Sequence, residues 1–203
     1  MLLAVFLSGC GPRQEQPAPP DAAAAGQDAS AQDEATGVAG SRSASAELQP
    51  LGASGVGGRV TFEPAAGGDG VTMRAEVTGL TPGKHGIHVH EWGDCSAPDG
   101  TSAGSHFNPT NAPHGAPGPS AHVGDFGNLE AGQDGRATIE LMLHGATLDQ
   151  GDTGILGRAV IVHEKEDDLV TQPTGNSGAR IACGVITTEG GNTQPVTAPP
   201  ANP

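Results

Sequence analysis

Apolar and polar residues alternate along the middle of this chain with the period of a β-strand. In Val71–Thr78 every second residue is apolar, and the residues between them are polar or charged. Because successive side chains of a strand point to opposite faces, this pattern predicts strands that are buried on one face. Eight strand-like runs recur, at Ser43–Leu48, Gly58–Glu63, Val71–Thr78, His85–His90, Gly127–Ala131, Arg136–Leu143, Arg158–His163 and Ala179–Ile186. With turn signals such as Asp134-Gly135 between them, they predict an all-β, antiparallel sandwich or barrel.

Composition agrees with this fold class, and charge limits which binding partners the protein can have. The chain has 33 Gly and 17 Pro, but only four Phe, one Trp and no Tyr, which disfavours a helical bundle. Its formal net charge of −14 argues against nucleic acid or an anionic membrane surface as a binding partner.

The amino terminus predicts export and a lipid anchor. Residues 1–10 form a short apolar run that ends in Leu7-Ser8-Gly9-Cys10 and resembles a bacterial lipoprotein signal, with Cys10 as the lipidated residue. The positively charged start of such signals is missing and the apolar run is short; a true start upstream of Met1 accounts for both. The alternative is an ordinary buried apolar terminus. We expect a periplasmic or cell-envelope protein that reaches the membrane through this anchor.

Residues 11–42 and 189–203 are poor in large apolar residues, so they cannot bury enough surface to offset their ordering entropy. We therefore predict a disordered tether at 11–42, a folded domain at 43–188 and a disordered tail at 189–203. Within the domain, the connections Glu91–Phe126 and Glu164–Gly178 are too long to be turns. Long loops in a compact domain are usually functional, and most of the histidines lie in or beside these two.

The histidines predict metal chemistry. His88 and His90 are two residues apart on a predicted strand, so both side chains point to one face and can reach one ion. By itself this pair fits two solvent-facing histidines equally well. The first long loop adds His106, His114, His122 and Asp125, and His163 ends a later strand. A set of histidines with one carboxylate is typical of zinc, and imidazoles suit copper or zinc. Two neighbouring sites would need a shared ligand, for which His106 is the candidate.

These residues stand in motifs that resemble, in order, those of the copper/zinc superoxide dismutases. The motifs are Gly86-Ile87-His88-Val89-His90-Glu91, Gly104-Ser105-His106-Phe107-Asn108-Pro109, His122-Val123-Gly124-Asp125, Val162-His163-Glu164-Lys165 and Gly175–Ile186. The similarity extends over about 43–188. It implies an eight-stranded Greek-key barrel and an enzyme that converts superoxide to dioxygen and hydrogen peroxide by alternating reduction and oxidation of copper.

The resemblance also assigns roles to single residues. It implies His88, His90, His106 and His163 as copper ligands, and His106, His114, His122 and Asp125 as ligands of a structural zinc, with a deprotonated His106 as the bridge. Asp167 resembles the carboxylate that links His88 to His114, and Arg180 the guanidinium that attracts superoxide. Cys95 and Cys183 match the family disulfide, which requires an oxidising compartment.

Two questions stay open at this point. The alternative function is a non-enzymatic lipoprotein that buffers copper or zinc on the same barrel; Arg180 and the complete copper set favour the dismutase. Whether the domain forms a homodimer is left open.

Eukaryotic relatives carry a lysine directly before Thr174, where this chain has Gln172-Pro173. We therefore expect weaker steering of superoxide than in those relatives.

Overall fold

A computed structural model describes residues 43–190 and 192–200. Within them the chain forms nine strands: β1 (Ala44–Pro50), β2 (Gly57–Pro64), β3 (Val71–Thr78), β4 (Gly83–His90), β5 (Asp125–Ala131), β6 (Ala137–Leu143), β7 (Ala159–His163), β8 (Arg180–Val185) and β9 (Thr187–Thr188). One 3₁₀ turn, Thr101–Ala103, lies in the first long loop. In this part of the chain no helix has the length and hydropathy needed to cross a membrane. The predicted signal at 1–10, with Cys10, and the tether at 11–42 lie outside the described residues.

The strands form a nearly closed antiparallel barrel. Their hydrogen-bonded order is β5-β4-β7-β8-β1-β2-β3-β6, and the short β9 pairs with β1 beside this path. β7 pairs with β4 and not with its sequence neighbour β6, so the chain crosses over between them as in a Greek key. The predicted all-β barrel of eight strands is confirmed. β9 was not predicted, because two residues are too short to show an alternating pattern.

The barrel interior is built from the apolar faces that the alternation predicted. On β3 the buried residues alternate with half-buried and exposed ones from Val71 to Thr78. Phe62 and Phe126, both fully buried, pack at a ring-centroid distance of 6.4 Å inside the barrel. β7 is buried along its whole length, because Ala159 and Ile161 pack in a second apolar cluster outside the main core. That second cluster lies under the first long loop.

A disulfide ties the start of the first long loop to β8. Cys95 and Cys183, which are 88 positions apart in sequence, are bonded with their Cα atoms 5.8 Å apart. Closing a loop of this length is worth about 4–5 kcal/mol in the chain-entropy model. The predicted disulfide is confirmed, and it holds the loop on which Gly104 and His106 lie.

The carboxy-terminal segment makes backbone hydrogen bonds to two loops. The amide of Val196 donates to the carbonyl of Gly157 (2.7 Å), and the amide of Gly93 donates to the carbonyl of Val196 (2.7 Å). Gln150 Nε2 also donates to the carbonyl of Gln194 (2.7 Å). Gln194–Val196 thus pairs its backbone with two loops, which an extended segment can do without burying apolar side chains, and disorder of 189–203 stays a prediction.

Candidate metal centre

Two histidines project from the centre of the barrel wall. β4 lies between β5 and β7, and the second half of β4 is buried on both faces. Ile87 and Val89 belong to the main core, while His88 and His90, 0% and 1% exposed, alternate with them. The predicted arrangement of His88 and His90 on one strand face therefore exists, and that face is buried rather than open to solvent.

Two more histidines join this pair. His163 ends β7, the strand next to β4, and its ring centroid lies 4.9 Å from that of His88. His106 arrives from the first long loop through an isolated bridge to His90, and its ring lies 3.9 Å from that of His88. One nitrogen from each of the four rings lies within 4.8 Å of the others. We call His88, His90, His106 and His163 the four-histidine cluster.

The remaining predicted residues form a second group around Asp125, the first residue of β5. The Nδ1 atoms of His106, His114 and His122 lie 3.1, 3.0 and 3.2 Å from one oxygen of Asp125, its Oδ1. A turn brings His122 and Asp125 together, since the amide of Asp125 donates to the carbonyl of His122 (3.1 Å). We call His106, His114, His122 and Asp125 the histidine–aspartate cluster. All ligand atoms in it also lie within 4.8 Å of one another.

Hydrogen bonds on the far side of four of the rings decide which nitrogen faces its cluster. Asp167 accepts from His88 Nε2 (2.7 Å) and from His114 Nε2 (2.9 Å). Backbone carbonyls accept from the Nδ1 atoms of His90 and His163, at Gly104 (2.9 Å) and Gly178 (3.3 Å). Each of these bonds uses an N–H, so the other nitrogen of each ring keeps its lone pair for a metal.

The donor atoms fit copper and zinc. In the described part of the chain five buried ring nitrogens have no hydrogen-bond partner: His88 Nδ1, His90 Nε2, His106 Nε2, His122 Nδ1 and His163 Nε2. Four of them converge in the four-histidine cluster, a donor set that copper favours. In the other cluster one carboxylate oxygen faces three nitrogens, more than its lone pairs can serve as hydrogen bonds. Three imidazoles and a carboxylate are a typical zinc set.

His106 belongs to both clusters. Its Nδ1 lies 3.1 Å from Asp125 Oδ1, and its unpartnered Nε2 faces the other three histidines. The ring has no outer carbonyl or carboxylate partner of the kind that holds His88, His90 and His163. The geometry therefore matches the expectation that His106 is shared.

The two clusters differ in electrostatics. Burial lowers the pKa of His88 to about 4, although its hydrogen bond to Asp167 opposes the shift. Burial and the neighbouring imidazoles hold the pKa of His90 and of His163 well below the usual value. Burial also disfavours the charged form of His114, but Asp125 and Asp167 outweigh it and raise its pKa to about 9. Despite their burial, the pKa of each of these carboxyl groups is lowered by the surrounding histidines.

Comparison with known proteins agrees with this geometry. The family model for copper/zinc superoxide dismutase matches residues 56–186. The chain belongs to the copper/zinc superoxide dismutase family. It is 40% identical over 157 residues to an extracellular Cu-Zn superoxide dismutase of Onchocerca volvulus, covering 72% of this chain and 76% of that protein. A second Cu-Zn superoxide dismutase of that organism is 43% identical over 142 residues, covering 64% and 88%.

Among solved structures, a double mutant of a SOD-like protein from Bacillus subtilis is similar, with a TM-score of 0.63 and 37% identity. The match covers 70% of this chain and 96% of that one. Copper and zinc are thus the metals of the family to which this barrel belongs, and both clusters have the donor atoms they require.

Arg180, the charged residue that the superoxide dismutase motifs single out, lies beside the four-histidine cluster. It is the first residue of β8 and pairs with His163 in the β7–β8 register. Its guanidinium donates to the carbonyls of Gly100 (2.5 Å) and Gly104 (2.6 Å). Because Gly104 also accepts from His90, one carbonyl connects Arg180 with a histidine of the cluster.

A cavity of about 280 Å³ lies beside His163 of the four-histidine cluster. Its lining consists of His163, Lys165, Thr174, Asn176, Ser177 and Gly178. Lys165 appeared in the sequence only as part of a motif, and its place at the cavity follows from the course of the second long loop. Lys84, by contrast, forms an ion pair with Glu166 at 2.9 Å.

Three contributors to the site were missed at the sequence level. Asn128 holds the backbone of Asp167 at two points: its Nδ2 donates to the carbonyl (2.9 Å) and its Oδ1 accepts from the amide (2.8 Å). Gln172 holds the backbone of His114 in the same manner. Gly104 contributes only a carbonyl. The side-chain amides carry no motif of their own, and a carbonyl is common to all residues, so no sequence signal distinguishes them.

Proposed function

We propose that this chain is a superoxide dismutase, which converts two superoxide anions and two protons to dioxygen and hydrogen peroxide. The residues that would hold copper are His88, His90, His106 and His163, and those that would hold zinc are His106, His114, His122 and Asp125. When bound, copper supplies the one-electron oxidation and reduction, and zinc supplies a fixed positive charge beside His106. The observation that carries the proposal is the shared position of His106, with Arg180 next to the same cluster.

His106 is the residue that we propose to move a proton. Its Nδ1 is committed to the histidine–aspartate cluster, so Nε2 is the ring atom that can take up a proton and release it to the peroxide product. Burial lowers the pKa of His106, against the opposing hydrogen bond with Asp125. A proton on this buried ring is therefore readily given up.

Arg180 would bind and orient superoxide. Its bonds to Gly100 and Gly104 use two of the five N–H donors of a guanidinium, which leaves others for the anion. With a net charge of −14, the chain as a whole repels superoxide. Attraction must therefore be local, from Arg180 and from Lys165 at the cavity.

For the chain outside the site, we propose a superoxide dismutase domain at 43–188 that is exported, attached by a lipid on Cys10 and held away from the membrane by residues 11–42. The Cys95–Cys183 disulfide supports export, because such bonds persist in oxidising compartments. Labelling of Cys10 with a radioactive fatty acid, compared between wild type and Cys10→Ala, tests the anchor.

The activity is tested by measuring metal content and superoxide consumption on the same preparations. We compare wild type with His106→Ala, Arg180→Ala and Arg136→Ala. Arg136 is an exposed arginine paired loosely with Asp134 (3.9 Å), so its removal makes the same change in net charge far from the clusters. We expect about one copper and one zinc per chain in wild type, activity lost in His106→Ala, and activity lowered with copper retained in Arg180→Ala.

Wild-type activity in Arg136→Ala would show that the effect of Arg180 is local. Equal losses in the two arginine variants would contradict its proposed role. Bound copper and zinc without superoxide turnover in wild type would refute the dismutase and favour the metal-buffering alternative.

A further inference from the structure

The side chain of Gln172 bonds to both main-chain polar groups of His114. Gln172 Oε1 accepts from the His114 amide at 2.8 Å, and Gln172 Nε2 donates to the His114 carbonyl at 2.8 Å. The two residues are 58 positions apart and lie on different long loops. This pair of bonds needs a side chain that is both donor and acceptor: a carboxylate only accepts and an ammonium only donates.

His114 is the member of the clusters whose backbone most needs such support. His88, His90 and His163 lie on strands, and His106 is held by the bridge to β4. His122 lies in the turn that leads into β5. His114, in contrast, is the one buried residue between positions 111 and 120. Its neighbours in the chain therefore contribute no core packing that would fix its position.

The loop that carries Gln172 is itself well ordered by short-range bonds. Asp168 Oδ1 accepts from the amides of Val170 (3.0 Å) and Thr171 (2.8 Å). The amide of Gly175 donates to the carbonyl of Thr171 at 2.7 Å, which closes the turn. The same loop contains Asp167, whose Oδ1 accepts from His114 Nε2 at 2.9 Å. It therefore holds His114 at three points, once on the ring and twice on the backbone.

The close approach of this loop to His114 depends on Gly175. A Cβ at Gly175 would lie 2.5 Å from His114 Nε2 and 1.9 Å from Asp167 Oδ1. Gly175 also has a φ of 64°, in the left-handed region that favours glycine. The backbone of the second loop thus passes directly against the Asp167–His114 contact, and Gln172 from the same loop bonds to the backbone of that histidine.

We propose that Gln172 is a positioning residue that fixes His114 for zinc, so that zinc retention depends on the second long loop. This inference rests on the proposed function in taking the histidine–aspartate cluster as the zinc site. Outer partners of metal ligands typically contribute 10–100-fold to metal affinity. Because Gln172 is exposed, replacing it leaves the barrel core unchanged, which makes the position suitable for a test.

The test uses the full chain and compares wild type with Gln172→Met, which keeps the length without the amide, and Gln172→Glu, which keeps only the acceptor. Gln150→Met is the matched control, since it also removes an amide-to-carbonyl bond, to Gln194, away from both clusters. Zn²⁺ affinity is measured by competition with a chelator, and Co²⁺ serves as a spectroscopic probe of ligand geometry. Thermal unfolding is recorded for each variant.

We expect Zn²⁺ affinity to fall about tenfold in Gln172→Met, with altered intensity of the Co²⁺ visible bands, and to fall less in Gln172→Glu. Gln150→Met should keep wild-type affinity and spectrum even if its unfolding temperature falls equally. Wild-type Zn²⁺ affinity and Co²⁺ spectrum in Gln172→Met would overturn the inference, as would equal changes in Gln150→Met. Should Gln172→Met fail to fold, Gln172→Glu decides by the same criteria. Absence of Zn²⁺ and Co²⁺ binding in wild type would instead refute the zinc site itself.

Discussion

The two clusters of candidate ligands share His106 and are otherwise built from different kinds of structure. In the four-histidine cluster, His88, His90 and His163 lie on adjacent strands whose register sets their spacing. In the histidine–aspartate cluster, His114 and His122 come from a long loop, and Asp125 begins β5. A strand positions its side chains through the backbone hydrogen bonds that it already makes to its neighbours. A loop has no such regular bonds, so each of its candidate ligands needs its own contacts, here from Asp125, Asp167 and Gln172.

The clusters also differ in the charges of their side chains. Burial keeps the pKa values of His88, His90 and His163 low, so this cluster consists of neutral imidazoles. The other cluster contains the Asp125 carboxylate and touches Asp167, and these raise the pKa of His114 to about 9. A carboxylate with three imidazoles is a typical zinc set, and imidazoles alone also suit copper.

The largest effect is expected from the variant that removes His106, the residue common to both clusters. His106→Ala should abolish superoxide consumption, with a loss of more than about 100-fold, because a shared ligand contributes more than the outer partners of ligands do. Activity and the content of both metals are measured together. His144→Ala is the control, since His144 belongs to neither cluster. Substantial activity in His106→Ala would mean that the shared position is not needed for turnover.

The next variant separates the two clusters. Asp167 accepts from His88 on a strand and from His114 on a loop. Asp167→Asn should lower zinc affinity about 10–100-fold and copper affinity less, because β4 still holds His88 while His114 loses a main support. Separate chelator competitions for Zn²⁺ and Cu²⁺ measure this. Equal losses for the two metals would contradict the distinction between strand-held and loop-held ligands.

A smaller effect is expected from a substitution of Arg180, which lies beside the four-histidine cluster only. Arg180→Lys keeps the positive charge but cannot bond both Gly100 and Gly104 in the planar geometry of a guanidinium. We expect kcat/KM for superoxide to fall about tenfold with the contents of copper and zinc unchanged, since neither cluster loses a ligand. A fall in metal content would assign Arg180 a structural role instead.

The smallest expected effect concerns the carboxy-terminal segment. Deleting residues 192–203 removes the bonds of Val196 to Gly93 and Gly157 and that of Gln150 to Gln194. At a net 0.5–1.5 kcal/mol for each bond, less the entropy of ordering the segment, we expect unfolding to become easier by about 1–2 kcal/mol. Denaturant titration measures this. In its described part, 192–200, this segment makes its hydrogen bonds to residues outside both clusters, so a change in zinc affinity would be unexpected and would link the tail to the site.

Much of the fold could be predicted because its signals are local. Strand-like runs and the turn signals between them located all eight barrel strands, with ends that differ from the structure by at most two residues. The tail carries no such local signal. Its composition predicts disorder, and nothing in that composition indicates the bonds of Val196 to backbone groups of two distant loops. Composition records which side chains can be buried and carries no information on which backbone groups elsewhere lack partners.

The sequence by itself determined the all-β class with its eight strands and the placement of His88 and His90 on one strand face, because both depend on periodicity. The resemblance of its motifs to those of a known family supplied the closed barrel and the roles of the candidate ligands. Only the tertiary structure decided which ring nitrogen faces which cluster, which carbonyl joins Arg180 to His90, and that Gln172 and Asn128 support His114 and Asp167. Those contacts join residues 14 to 79 positions apart through backbone groups and amides, and such groups acquire a partner only when the chain has folded.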